Sequence, residues 1–253
     1  MTEPIIKLRD LTYSIDGREI LKNINLNIFA GEIFTLIGLS GAGKSTILRL
    51  LSGLIFPTGG TVEVLGVTLS EKMALDKYRQ LLSEVGYVFQ YGALFDSLTV
   101  RENVGFSLYE HSELSDAKIE EKIKEALSVV GMAGTEDLYP AELSGGMQKR
   151  IGIARSLVLN PKILLYDEPN SGLDPIISAT IDDLITSLRN ERGVTAIVVT
   201  HDIKSVMTIS TRLSLLYKGG LSFVGTIDEA KNSDNGELKQ FLNDQTKGPI
   251  KVI

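Results

Sequence analysis

A glycine-rich stretch from Gly38 to Thr46 has the spacing with the clearest chemical meaning in this sequence. It reads GLSGAGKST and fits the pattern G-x-x-x-x-G-K-[ST] of phosphate-binding loops. Its glycines let several backbone N–H groups converge on one point, and a helix that starts there adds the positive end of its dipole. Lys44 would then reach the β- and γ-phosphates of a nucleoside triphosphate, while the Ser45 hydroxyl takes a position on Mg²⁺. The predicted contacts to this nucleotide come from one segment: Gly38, Ser40, Gly41, Ala42, Gly43, Lys44, Ser45 and Thr46.

The flanks of this loop distinguish a nucleotide site from a flexible Gly-Ser segment that matches the pattern by chance. The residues before it, Ile33–Ile37, predict a short buried strand, and the residues after it, Thr46–Leu51, predict a helix. A phosphate-binding loop needs a strand before it and a helix after it. The context therefore favours the nucleotide site.

Two adjacent carboxylates, Asp167 and Glu168, end an apolar run that predicts a buried strand from Ile163. The carboxyl ends of parallel strands meet at one edge of a sheet, where the phosphate loop also lies. Asp167 is then placed to hold Mg²⁺ directly or through water, and Glu168, which points elsewhere, to polarise an attacking water. Acidic surface residues at a strand end are the common alternative, but the phosphate loop in the same chain favours the catalytic interpretation.

A second helix start with exposed N–H groups follows Leu143, in the sequence Ser144-Gly145-Gly146. Helix N-termini bind anions, but one triphosphate does not need two such sites in one chain. The second anion-binding helix start therefore suggests a dimer in which this segment closes on the nucleotide of a second copy. An ordinary serine-capped helix explains the same residues, and physics alone favours that explanation.

The composition narrows the range of partners. The 253 residues carry 32 acidic against 26 basic side chains, a balance that gives no electrostatic footprint for nucleic acid, so we expect no such partner. The sequence has no cysteine, which excludes disulfides and thiol chemistry. It shows neither a secretory signal nor an apolar run of about 18 residues, so we expect any work at a membrane to depend on another protein.

Strands that alternate with helices predict an α/β fold with a mainly parallel core sheet covered on both faces. Residues 1–90 and 161–235 are assigned to a nucleotide-binding core that includes an antiparallel β layer, with one helix expected at Lys72–Leu82. Residues 91–160 predict an inserted α-helical subdomain, in which the glycine-rich helix start lies. Residues 236–253 predict a C-terminal helix and an extended tail.

Six motifs make the sequence resemble the ATPase subunits of ABC transporters, over residues 5–230. In the order of that family they are the Walker A motif (Gly38–Ser45), the Q-loop (Gln90), the LSGGQ signature (Leu143–Met147), the Walker B motif (Ile163–Glu168), the D-loop (Ser171–Asp174) and the switch histidine (His201). A lone glutamine or histidine is more often structural, but the shared order of all six is specific. The fold implied is that of a P-loop NTPase.

The resemblance implies that two copies of the chain sandwich two ATP molecules. Each ATP lies between the Walker A motif of one chain and the segment Ser144–Gly146 of the other. Tyr13 would stack on adenine, although an ordinary strand aromatic is the alternative, and Asp174 of the D-loop joins the residues expected at the nucleotide. Closure of the dimer would be the two-state element that ATP biases.

For hydrolysis, the resemblance implies that Ser45, Asp167 and Gln90 surround Mg²⁺ and the lytic water. Glu168 would be the general base, and His201 would hold the γ-phosphate and sense its loss. This is phosphoryl transfer to water, in which positioning and charge neutralisation supply most of the rate.

Three residues depart from the usual family pattern. Met147 replaces glutamine in the signature, and Asn170 and Gly172 vary the segment after the Walker B carboxylates. The serine and glycines of the signature remain and no acidic or capping group is lost, so we expect activity to be retained.

The segment Gln90–Val100, QYGALFDSLTV, is where the resemblance implies a groove for the coupling helix of a permease. This segment resembles the Mce-type lipid transporters, the class that includes the Mla phospholipid system, and so does the end of the chain from Gln240. In that class the C-terminal tail can reach the partner ATPase. Leu94 and Phe95 as core residues, with a disordered tail, are the alternative.

The partners implied are a second copy of the chain, integral membrane permease subunits and a periplasmic Mce-type lipid-binding protein. The ATPase would lie at the cytoplasmic face of the inner membrane. The runner-up is the ATPase of an importer for polar amino acids or another small solute. A soluble ABC ATPase without a permease is disfavoured, because such proteins normally carry two cassettes or a long coiled-coil insertion.

Overall fold

The computed structural model describes residues 3–251. Its strands are β1 (Pro4–Ile15), β2 (Arg18–Phe29), β3 (Ile33–Ile37), β4 (Gly59–Val64), β5 (Val67–Thr68), β6 (Val85–Val88), β7 (Ile163–Asp167), β8 (Thr195–Val199), β9 (Arg212–Tyr217) and β10 (Gly220–Thr226). Its helices are α1 (Lys44–Leu51), α2 (Leu75–Glu84), α3 (Val100–His111), α4 (Asp116–Val129), α5 (Gly145–Leu157), α6 (Pro175–Arg192), α7 (Ile203–Ile209), α8 (Ile227–Asn232) and α9 (Gly236–Leu242), with a 3-10 turn at Pro140–Glu142.

Two sheets organise the chain. The larger has the order β10-β9-β3-β8-β7-β6, in which the strands from β9 to β6 are parallel and β10 pairs antiparallel at one edge. The smaller sheet, β2-β1-β4-β5, is antiparallel. The predicted α/β fold, with its mainly parallel core sheet and antiparallel layer, is therefore confirmed.

The middle strands of the larger sheet position the predicted site residues. Every residue of β3, β7 and β8 is buried, as expected for parallel strands that are covered on both faces. Leu36 pairs with Val199, and Val199 pairs with Asp167, so three carboxyl ends lie side by side. The phosphate loop, Glu168 and His201 follow directly from these ends.

Between β6 and β7 the chain forms α3, α4 and α5, the helical content that the sequence predicts there. Thr99 and Glu102 form the capping box that starts α3: the Thr99 N–H donates to the Glu102 carboxylate at 2.7 Å, and the Glu102 N–H donates to Thr99 Oγ1 at 3.2 Å. The division of the chain into separate units stays a prediction.

Two local details differ from the predictions. The helix expected at Lys72–Leu82 is α2, which starts three residues later because a turn precedes it, in which the Met73 N–H donates to the Ser70 carbonyl at 3.0 Å. Helix α8 follows β10 where no helix was expected. By contrast, the helix start predicted within the glycine-rich segment is confirmed, because α5 starts at Gly145 with Ser144 as its N-cap.

The C-terminal tail folds back on its own chain. The Ile250 N–H donates to Gln240 Oε1 at 2.7 Å, and Gln240 Nε2 donates to the Ile250 carbonyl at 3.0 Å. Both residues are buried, so the alternative of a disordered tail fails as far as Ile250. Residues 1 and 2, assigned to the nucleotide-binding core, and residues 252 and 253, assigned to the tail, lie outside the described residues.

Candidate nucleotide site

The loop between β3 and α1 curls as phosphate binding requires. Gly38 and Gly43 have φ angles of +151° and +104°, and side chains would not fit at either position. A Cβ on Gly43 would lie 2.9 Å from Leu21 Cδ2, and one on Gly38 would collide with the carbonyl oxygen of Leu216. Gly43 is also the N-cap of α1 and has no side chain to satisfy the first N–H groups. Those groups are therefore free to bind phosphate oxygens.

Lys44 points its ammonium into this loop. The side chain is buried, and Nζ donates to the carbonyl oxygens of Gly38 at 2.8 Å and Leu39 at 3.1 Å. Burial lowers the pKa of Lys44, while the charges of Glu168 and Asp167 act in the opposite direction. Nucleotide phosphates would give this cation stronger acceptors than carbonyl oxygens.

Ser45 and Asp167 meet where the sequence predicts Mg²⁺. The Ser45 hydroxyl donates to Asp167 Oδ1 at 2.8 Å. Mg²⁺ is held by hard oxygen ligands, usually one or two protein carboxylates together with substrate phosphates and water. A hydroxyl and a carboxylate beside the phosphate loop fit that requirement.

Tyr87 holds the second oxygen of Asp167, a contact that sequence reasoning missed. Its hydroxyl donates to Asp167 Oδ2 at 3.1 Å. Burial, followed by the charge of Asp167, raises the pKa of Tyr87, so the phenol remains a hydrogen-bond donor. The available signal was a single phenol in a short buried strand, three residues before Gln90.

Glu168 and His201, the predicted base and sensor, are in contact. Glu168 Oε2 lies 2.8 Å from His201 Nδ1 and accepts the His201 backbone N–H at 3.4 Å. Glu168 has a left-handed backbone with φ of +50°, and its N–H donates to the Val199 carbonyl at 2.8 Å. This turn leaves the Glu168 carboxylate against His201, which follows β8.

Gln90 does not sit on the predicted metal ligands. Its Nε2 donates to Ser171 Oγ at 3.2 Å, so the Q-loop is tied to the D-loop. The side chain nonetheless lines the same cleft as the phosphate loop, and its metal role stays a prediction.

A cleft of about 790 Å³ is lined by the phosphate loop together with Gln90, Glu168 and His201. Tyr13, predicted to stack on adenine, lies on its wall together with Ile15 and Ile20 of the antiparallel layer. Phe241 of α9 lines the same cleft and was not predicted, because nothing in the spacing of the chain connects residue 241 to the loop at 38–46.

Two predicted nucleotide residues act as helix caps. Ser144 Oγ accepts the Met147 N–H at 3.3 Å, and Asp174 Oδ1 accepts the N–H groups of Ile176 at 2.9 Å and Ile177 at 3.0 Å. The described residues that line the cleft include neither cap, nor Gly145 or Gly146. Their contact with the nucleotide of a second copy therefore stays a prediction.

A phosphate loop after β3, two carboxylates at the end of β7 and a histidine after β8, all at one edge of a parallel sheet, define a P-loop nucleoside triphosphatase. A family model described as ABC transporter matches residues 21–171. The chain belongs to the ABC transporter family, as an ATP-binding subunit that hydrolyses ATP.

The curated relatives carry several transport names. Protein TRIGALACTOSYLDIACYLGLYCEROL 3, chloroplastic, of Arabidopsis thaliana is 40% identical over 99% of this chain and 76% of its own length. The probable ribonucleotide transport ATP-binding protein mkl of Mycobacterium leprae is 38% identical over 97% of this chain and 70% of its own. The methionine import ATP-binding protein MetN of Bacillus subtilis is 39% identical over 90% and 66%.

Solved structures agree with this assignment. The structure of cbiO1 from Clostridium perfringens, part of the ABC transporter complex cbiONQ, has a TM-score of 0.84 at 30% identity and covers 92% of both chains. A dimeric post-hydrolysis state of the ATP-binding cassette MJ0796, bound to ADP and Pi, has a TM-score of 0.79 at 33% identity and covers 88% of this chain and 98% of that one. Cassettes of this family dimerise and pair with membrane permease components.

Proposed function

We propose that this chain powers a Mce/Mla-type transporter of phospholipid. The observation that carries the proposal is the 40% identity, over 99% of the chain, with an Arabidopsis protein named for a galactosyl diacylglycerol lipid. This similarity includes the segment Gln90–Val100, which would bind the permease, and the C-terminal tail. The partners would be the permease subunits and a periplasmic Mce-type lipid-binding protein.

An apolar groove beside Gln90–Val100 supports a permease partner. Phe95 and Phe106 are 44% and 38% exposed, and their ring centroids are 4.8 Å apart. Arg155 lies 6.0 Å from the Phe95 ring and donates to the carbonyl oxygen of Ala93 at 2.7 Å, which holds the segment in place. Exposed aromatic side chains around a groove are the features that an inserted helix buries.

The permease would also supply the attachment to the membrane. Within residues 3–251, no helix combines the length and apolarity needed to span a bilayer. We place the protein at the cytoplasmic face of the inner membrane, held there through the groove of Phe95 and Phe106.

The proposed mechanism uses two copies of the chain. Lys44 neutralises charge on the β- and γ-phosphates, and Ser45 and Asp167 would hold Mg²⁺, which adds further positive charge at the phosphates. Glu168 accepts a proton from the attacking water at its carboxylate, and the adjacent His201 contacts the γ-phosphate. Ser144–Gly146 of the second copy closes the site around the attacking water and excludes bulk solvent.

The alternative is an importer ATPase for polar amino acids or another small solute. The 39% identity with the methionine import protein MetN favours it specifically. The two candidates predict different partners, because a solute importer recruits a solute-binding protein whereas a Mce-type system recruits a lipid-binding protein.

Purification from native membranes tests the proposal. The tagged chain would be extracted in mild detergent, and its partners and bound lipids identified by mass spectrometry. A permease with a Mce-type protein and phospholipid is expected, whereas a solute-binding protein would favour the alternative and overturn lipid transport. Phe95→Asp should lose the permease, and Val224→Asp, at a 38% exposed position on β10, is the matched control that should keep it.

A further inference from the structure

A buried lysine on helix α5, which begins with the signature segment, donates hydrogen bonds to the turn that carries Glu168. Lys149 Nζ donates to the carbonyl oxygens of Ser171 at 2.6 Å, Pro169 at 2.7 Å and Glu168 at 3.4 Å. Its side chain is only 8% exposed. An ammonium has three N–H donors, and the three carbonyls of this one turn match them.

Shape alone does not explain a lysine at this position. Burial of an ammonium costs free energy, and here burial lowers the pKa of Lys149 to about 8, with Glu168 as the charged group that opposes the shift. An unbranched apolar side chain such as methionine would fill the same space without that cost. The charge therefore does something that packing does not.

The turn that Lys149 holds is strained and has several anchors. Glu168 adopts a left-handed backbone, which a residue other than glycine keeps only when its surroundings enforce it. On the opposite side, Asn170 Nδ2 donates to Asp182 Oδ1 at 2.8 Å and to Ser205 Oγ at 3.2 Å, so α6 and α7 also fix the turn. Lys149 supplies the anchor on α5.

The same helix begins with the segment that would contact the second nucleotide. Lys149 follows Ser144 by five residues, a distance of roughly 7.5 Å along a helix axis. A rigid helix of this length transmits a displacement of its first turn to the lysine. Lys149 therefore links the signature segment to the carboxylate of the same chain's own site.

We propose that Lys149 is a positioning residue that couples the two sites of the dimer. When Ser144–Gly146 closes on the nucleotide of the second copy, α5 and its lysine set the turn of Glu168 and Ser171 in their own chain. Gln90 moves with this turn, because its Nε2 donates a hydrogen bond to Ser171 Oγ. This inference rests on the proposed two-copy site.

The test compares Lys149→Met, which keeps the length and loses the charge, with Lys149→Arg, which keeps the charge and the donors. Lys124→Met is the control, since Lys124 is 64% exposed and lies on α4 of the same helical segment. For Lys149→Met we expect kcat to fall about 10- to 100-fold, as for a misplaced catalytic group, with the affinity of the isolated chain for a fluorescent ATP analogue unchanged. Lys149→Arg should recover most of kcat, and Lys124→Met should behave as wild type.

Three results would overturn the proposal. The first is a Lys149→Met protein that keeps kcat within about twofold of wild type. The second is an equal loss of kcat in Lys149→Met and Lys149→Arg, and the third is a loss of ATP affinity in step with kcat; either would indicate a merely structural role. Thermal unfolding of each variant identifies one that fails to fold, and Lys149→Gln then replaces it.

A separate measurement keeps this proposal apart from the two-copy site on which it rests. In the Glu168→Gln background, ATP should trap a dimer whether or not Lys149 couples the sites. Failure to dimerise there would overturn the proposed two-copy site itself. A normal trapped dimer together with unaffected Lys149→Met turnover would overturn the coupling alone.

Discussion

Glu168 and His201 lie in contact, with Oε2 of the carboxylate 2.8 Å from Nδ1 of the imidazole. The carboxylate follows β7 and the histidine follows β8, two paired strands of the parallel sheet. Glu168 is mostly covered, with 14% of its side chain exposed, whereas His201 is 67% exposed. Glu168, the proposed base, is therefore held by the protein, and His201 lines the cleft of the phosphate loop.

Glu168→Gln should abolish turnover and preserve nucleotide binding. The amide keeps the shape of the carboxylate but cannot accept a proton from water, a loss worth about 10²- to 10⁴-fold in rate. We expect an ATP-dependent dimer that persists, measured by size-exclusion chromatography with light scattering. Turnover near that of wild type would remove Glu168 as the base.

Activity should fall as the pH rises through about 8, because Lys149 then loses its proton. Burial lowers the pKa of this ammonium to about 8 from the usual 10.5 of a lysine. Lys149→Arg stays charged at these pH values, so the alkaline loss of kcat should disappear in that variant. A wild-type profile that is flat from pH 7 to pH 10 would contradict this prediction.

The same lysine should make the free energy of unfolding rise with pH over the range in which activity falls. Between about pH 8 and pH 10.5 the unfolded lysine binds a proton that the folded one has released, so this group makes the free energy of unfolding rise with pH in that interval. Urea titrations of wild type and Lys149→Met across this range measure the difference. If wild type loses stability there relative to Lys149→Met, the lysine is not buried as described.

Tyr87→Phe should weaken the use of Mg²⁺. The phenol holds Asp167 Oδ2, and one lost hydrogen bond of about 1 kcal/mol corresponds to roughly a fivefold change in an equilibrium. We expect the Mg²⁺ concentration for half-maximal ATPase activity to rise by about that factor. Tyr78→Phe removes a hydroxyl that donates to the Gly53 carbonyl instead, and its Mg²⁺ dependence should match wild type.

Residues in sequence motifs were predictable because their positions follow from strand ends. Gly38–Thr46, Asp167, Glu168 and His201 each lie at or just beyond the end of a buried apolar strand, and parallel strands bring such ends together. The positions of these residues along the chain are therefore enough to predict which strand end each one occupies. Their meeting at one sheet edge was therefore predictable.

Contacts that span the chain without a motif were not predictable. Tyr87 reaches Asp167 across 80 residues, and Lys149 reaches Ser171 between a helix and a turn. No periodic pattern in the sequence signals either contact. Each depends on how elements that are distant along the chain pack against each other, and the whole core sets that packing. Helix α8 is different: Thr226 and Glu229 form a capping box that was readable in the sequence.

Removal of the tail from Lys247 onward should destabilise the C-terminal helix. Gln240 would lose both hydrogen bonds to Ile250, and the amide of a buried side chain would be left without those partners. We expect a lower melting temperature and weaker ATP binding, because the adjacent Phe241 lines the nucleotide cleft. Gln240→Ala should reproduce part of both effects, and a truncated chain with the Tm and ATP affinity of the full chain would contradict this account.

In the proposed mechanism, Gly38–Thr46 is half of a site whose other half comes from a second copy. Mixing two inactive variants tests it most directly. Lys44→Ala removes the phosphate lysine, and Gly145→Asp places a negative charge at the start of α5, where an added Cβ lies 3.9 Å from Leu173 Cδ2 and so has room. In a mixed dimer one composite site keeps both halves, so we predict ATPase activity well above the sum of the two variants alone. No gain on mixing, with mixed dimers present by native mass spectrometry, would contradict the claim.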